Sequence, residues 1–170
     1  MATNPERTNY FDGSLLGASD LTRDQQYLIG RLRGHNRFAH GWGVLQGLTV
    51  SITGSDVIVD SGFAIDCEGN EVGLLEPQRV AIGNMTGPFF VCVKFVETPV
   101  SPTPGPGGLV YAAIVEGAQV ELSQANACAG HSGRGPGTPG CGHRHAVVLA
   151  RVSPQKGGWQ VRLAKSSAKR

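Results

Sequence analysis

At 170 residues the chain is sized for one domain, and its 40% hydrophobic content suffices for a packed core. A formal net charge of +2 argues against nucleic acid as the main partner, because binding by counterion release needs a dense basic face. With Gly 25 and Pro 10, the composition is that of a turn-rich β protein rather than of wholesale disorder.

The N-terminus, MATNPERTNYFDG, contains no apolar run of the signal-peptide type. No window approaches the roughly 18 apolar residues of a membrane span. The expectation is a chain made and assembled in the cytoplasm without membrane insertion. Residues 1–8 are polar, contain Pro5, and read as mobile or draped on a partner. Tyr10, Phe11, Leu15 and Leu16 are the first apolar anchors, with an Asp12-Gly13 turn between them. They pack either against the following helix, the simpler reading, or onto a neighbouring subunit.

Ser19 or Asp20 is expected to cap that helix by accepting from its first-turn N–H groups. Leu21, Leu28 and Leu32 fall on one face, at offsets of 7 and 11, with Gln25 in the gap and Tyr27 and Ile29 beside it. Gly30 and Gly34 invite close approach of another backbone, since each costs roughly 1 kcal/mol relative to Ala in a helix. His35, Asn36, Arg37 and His40 follow. The two histidines are five apart, a spacing that does not align two ligands on an α-helix. Side chains bonded to the loop or to an adjacent subunit are the better reading. Gly41-Trp42-Gly43 and Gly47 read as a turn anchored by Trp42. These glycines do not form a dinucleotide fingerprint, and they follow a helix rather than a strand.

From Leu48 the period becomes two. Strands are expected at 48–53, 57–59, 63–65 and 71–75, joined as a meander. Asp60, Asp66, Glu68 and Glu71 fit no calcium-loop order and read as turn residues. Phe89, Val91, Val93 and Phe95 form the strongest strand face, and Cys92 reads as a small, partly buried hydrophobe. Residues 98–108 (TPVSPTPGPGG) read as a Pro/Gly loop that cannot pair as a central strand. Further strands are expected at 109–114, 118–122, 147–152 and 159–163. Lys165, Lys169 and Arg170 form a short basic tail, read as a frayed end.

Residues 125–145 hold the one cluster with chemical potential: Cys128, His131, Cys141, His143 and His145. Thiolate and imidazole are the ligands zinc prefers, so the loop is a candidate structural zinc site. A Cys128–Cys141 disulfide formed after export and an unliganded loop are the competing readings. A zinc-dependent hydrolase built on these five residues has no neighbouring glutamate as general base. There is no G-x-S-x-G, no phosphate loop and no H-E-x-x-H. No catalytic residue and no cofactor site is assigned.

The order of motifs resembles small proteins encoded in phage-tail-like gene clusters, including those of extracellular contractile injection systems. The resemblance rests on Tyr10-Phe11-Asp12-Gly13-Ser14-Leu15-Leu16, Leu21 to Tyr27, His35-Asn36-Arg37, His40 to Val44, Gly47 to Val50 and Gly62 to Glu71. Similarity extends through Phe95 to Pro102 and the cysteine loop before Val147 to Val152. It implies a non-enzymatic structural component of a tail-like particle, at the baseplate, the cap or the fibre attachment. Such a chain reaches the outside only within a released particle.

The expected fold is a single α+β domain, an N-terminal extended arm and helix packed on an antiparallel β-barrel or β-sandwich of about seven to nine strands. Its parts are an arm, helix and turn (1–47), a β-rich region (48–164) and the tail (165–170). Tyr10, Phe11, Gln25, Tyr27, His35, Asn36, Arg37 and Trp42 are the expected subunit contacts. Other tail or baseplate subunits and further copies of the chain, as a homo-oligomer, are the expected partners. The rival binding reading is a receptor- or glycan-recognition module using loops 98–108 and 125–145.

Overall fold

The computed structural model describes residues 5–126 and 146–164. Among them the chain forms one α-helix, α1 (Ala18–His35), a π turn (Asn36–His40) and ten strands. The strands are β1 (Gly43–Gly47), β2 (Val50–Thr53), β3 (Asp56–Val59), β4 (Gly62–Ile65), β5 (Glu71–Leu74), β6 (Gln78–Ala81), β7 (Phe89–Gly105), β8 (Gly108–Ser123), β9 (Val147–Gln155) and β10 (Gly158–Leu163). The α+β class with an N-terminal helix and antiparallel sheets is as expected.

The sheets do not follow a meander. β1-β4-β5 form one, β2-β3-β6 a second, and β10-β9-β7-β8 a third. The period-two segments therefore form strands, but two short sheets interleave along the chain. The crossing point is tight. A β-carbon on Gly62 would lie 2.3 Å from the Gln46 carbonyl oxygen, so only glycine lets β1 and β4 pass this closely. β1 and β6 are additional to the expected strands. The glycines around Trp42 had suggested a turn, yet Gly43–Gly47 pairs with Gly62–Ile65.

The core lies between the sheets. Phe89, Val91 and Val93 are fully buried and Phe95 nearly so, the face that alternation in β7 predicts. Trp159 meets Phe89 edge-to-face, with ring centroids 5.3 Å apart. Cys92, on the opposite face of β7, is also fully buried, so this strand is covered on both sides. Gln78 joins the second and third sheets. Its Nε2 donates to the Ala118 carbonyl (3.3 Å) and its Oε1 accepts from the Val120 N–H (3.1 Å), as a neighbouring strand would.

Residues 98–105 are strand rather than loop, and Pro106-Gly107 make the turn. β7 runs to Gly105 and pairs with β8 from Phe90↔Ser123 to Gly105↔Gly108, interrupted only at Ser101, whose φ is +58. The two segments read as separate strands, 109–114 and 118–122, are one strand. Pairing of β7 with β9 ends at Val93, so the distal hairpin has two strands and hence two edges. Proline is tolerated in an edge strand, which explains Pro99, Pro102 and Pro104 here. Leu109, Tyr111, Ile114 and Val115 on this arm are exposed.

Candidate assembly surfaces

The helix is joined to the sheets through its C-terminal end. The helix begins at Ala18 with Gly17 as N-cap, earlier than Ser19 or Asp20 implied. Asp20 still serves the helix start, because its carboxylate accepts from the Gly17 N–H at 3.0 Å. At the other end Asn36 is buried, and its Nδ2 donates to the Gly69 carbonyl (3.0 Å) and to Glu71 Oε1 (3.2 Å).

The turn that receives it is built by Asp66. One of its oxygens accepts from the Glu68 and Asn70 N–H groups, both at 2.9 Å, and the other from Asn70 Nδ2 at 2.7 Å. This is turn chemistry of the Asx type. Gly69 has φ +90, and a β-carbon there would lie 2.2 Å from the Arg33 carbonyl oxygen. The turn can touch the helix end only because residue 69 is glycine.

Beyond Asn36 the helix widens into the π turn. With the wider i→i+5 bonding of this turn, the His35 and His40 rings meet, with centroids 5.4 Å apart and planes at 74°. The spacing that looks wrong for an α-helix suits a π turn. Arg37 lies over the Phe38 ring at 4.9 Å from its centroid. No group of three or more metal-ligating side chains occurs among the described residues. Cys128, His131, Cys141, His143 and His145 lie outside them.

No residue of α1 is buried. Leu21, Leu28 and Leu32, the expected apolar face, are exposed at 54%, 60% and 52%. Phe11, Leu15 and Leu16 of the arm are exposed as well, so they join no core formed by the described residues. Thr8 Oγ1 donates to the Asp20 carbonyl at 3.3 Å and ties the arm to the helix start. An open groove of about 880 Å³ runs along the helix, lined by Pro5, Arg23, Tyr27, Gly30, Gly34 and Phe38. Nothing lies within 4 Å of where a β-carbon on Gly30 would sit.

The expected contact residues thus divide. Tyr10, Phe11, Gln25 and His35 are exposed, Tyr27, Arg37 and Trp42 are half-buried, and Asn36 is internal. Asp66 reads from sequence only as a turn residue, and Gly69 in the same turn carries no separate signal. Their service to the helix joint depends on a contact between segments more than thirty residues apart.

No protein-family model matches the chain, and no curated protein matches it by sequence. Solved structures do match in fold. One is the type VI secretion system TssK-TssF-TssG baseplate subcomplex seen by cryo-electron microscopy, with a TM-score of 0.56 and 11% identity over 94% of this chain and 60% of that one. A second is the baseplate complex from the type VI secretion system, with a TM-score of 0.53 and 10% identity over 94% and 58%. A crystal structure of TssK gives a TM-score of 0.51 and 16% identity over 95% and 41%. The chain therefore shares its fold with chains of type VI secretion baseplate structures while spanning about three fifths or less of their length. Among the described residues, no helix is long and apolar enough to cross a membrane.

Proposed function

We propose that the chain is a non-enzymatic assembly subunit of a contractile, phage-tail-like particle, acting at its baseplate, with other baseplate subunits as partners. The observation that carries this reading is the fold, which follows baseplate components over 94–95% of the chain. The exposed leucine face of α1 supports it. A helix joined to the sheets through its C-terminal end, with an apolar stripe exposed among the described residues, suits helix-in-groove docking to another subunit. The N-terminal arm and the groove beside Gly30 and Gly34 extend the same surface.

The test is affinity capture of the full chain from its native host, followed by mass spectrometry. Sheath, tube or baseplate proteins are expected to co-purify. Leu28→Ser with Leu32→Ser should abolish their capture while the protein stays folded. Recovery of the wild-type chain alone would overturn the reading.

A further inference from the structure

The β7/β8 hairpin leaves the body of the protein as a two-stranded arm. Of residues 98–115 only Val100 and Gly105 are partly buried, and Leu109, Val110, Tyr111, Ile114 and Val115 are 48–73% exposed. Side chains alternate along a strand, so Val110 and Ile114 lie on one face of the arm and Leu109, Tyr111 and Val115 on the other. A two-stranded hairpin is marginally stable in water by itself, and an arm apolar on both faces gains from further strands.

The two edges of the arm differ. Gln78 marks which backbone groups of β8 turn outward. Its side chain accepts from the Val120 N–H and donates to the Ala118 carbonyl, in the place of a neighbouring strand. Outward groups recur at every second residue of an antiparallel pair, and the register does not shift between Val120 and Leu109. Glu116, Ile114, Ala112 and Val110 therefore continue the same edge for about 20 Å, with no strand against it among the described residues. On the β7 side the outward positions include Pro99, which has no N–H, and Ser101, whose φ of +58 breaks the extended backbone. Edge strands are commonly blunted by such prolines and irregularities, or by charge. From Leu109 to Val115 the β8 edge has neither a proline nor a charge.

We infer that the β8 edge pairs with the β8 edge of a second copy, antiparallel about a two-fold axis, to give a four-stranded arm in the order β7-β8-β8-β7. An edge strand is its own complement in antiparallel pairing, so both copies fill their open N–H and carbonyl groups at once. An axis at Ala113 uses the whole edge and sets Ala112 of each copy against Ile114 of the other. Residues 98–115 hold no charged side chain, so no like charges meet across the axis. The blunted β7 edges then face outward and stop further addition, which closes the assembly at two copies. This goes beyond the baseplate reading, which concerns other subunits and the helix face. Purified protein alone tests it, so its failure and failed capture from the host are separate results.

The experiment is sedimentation velocity of the purified full chain, with hydrogen exchange read along β8. The wild type should be a dimer in which the amides of Val110, Ala112 and Ile114 exchange at least about tenfold more slowly than in diluted, dissociated protein. Ala112→Pro takes one outward donor from each copy without touching the ladder to β7, and should weaken dimerisation at least about tenfold. Thr103→Lys, on the β7 edge, should leave the dimer as it is. Should Ala112→Pro fail to fold, as judged by thermal melting, Ala112→Lys decides by loss of the dimer. A monomeric wild type would overturn the proposal and leave the edge to a strand of another subunit. So would a dimer that survives Ala112→Pro in folded protein, one lost equally with Thr103→Lys, or one whose Val110, Ala112 and Ile114 amides exchange freely.

Discussion

Two amphipathic stripes in this chain look alike in sequence and end in opposite environments. Phe89, Val91, Val93 and Phe95 of β7 alternate and are buried at 0–8% exposure. Leu21, Leu28 and Leu32 of α1 recur at helical spacing and remain more than half exposed. Periodicity says which side chains share a face. It does not say what covers that face. In β7 the cover is the rest of the chain, whereas the structure leaves the helix stripe open beside a groove.

The contrast predicts a graded series of effects. Phe89→Ala removes a fully buried ring and its contact with Trp159, so it should cost about 3–5 kcal/mol of unfolding free energy, measured by denaturant titration. A loss below about 1 kcal/mol would mean the β7 face is not the centre of the core. Gly69→Ala puts a β-carbon against the Arg33 carbonyl at a positive φ. It should cost about 1–3 kcal/mol, with hydrogen exchange rising first in residues 18–40. Uniform exchange across the β7 core would show that the helix joint does not act as a separate unit. Asn36→Ala removes the donor that Gly69 and Glu71 share and should cost about 1–3 kcal/mol in the same assay. Leu28→Ser should change the stability of the isolated chain by no more than about 0.5 kcal/mol. A large loss in thermal melting would place Leu28 in an intramolecular core and remove the distinction between the stripes.

Much of the fold was legible locally. The turn at Gly54-Ser55 sets β2 against β3, and the Asp66-to-Asn70 turn sets β4 against β5, as Gly and Asp in those positions indicate. The helix range was readable from its leucines, although its start was not, because Asp20 acts from the third helical position rather than as the cap. The candidate surface was readable only in part. The exposed arm and helix residues carry their own signal, but Asn36 carries none that separates an internal joint from an outward contact. Its burial depends on Gly69 and Glu71, which lie far away in sequence.

The proline-rich stretch illustrates the same boundary. Pro99, Pro102 and Pro104 argue against a central strand, and β7 is indeed not central there, since β9 has already left it. Composition identified what the segment could not be. Pairing with β8 decided that it would be a strand at all.

What the sequence determined by itself is therefore the set of local elements: the helix, the turns, the β7 face and the α+β class. Each follows from interactions within a few residues, where backbone sterics, turn chemistry and side-chain period act. The tertiary structure alone decided how the two short sheets interleave, that Gly69 would receive the helix end, and that the leucine face would stay open. Those outcomes depend on which distant surfaces meet, and a pattern along one segment does not carry that information.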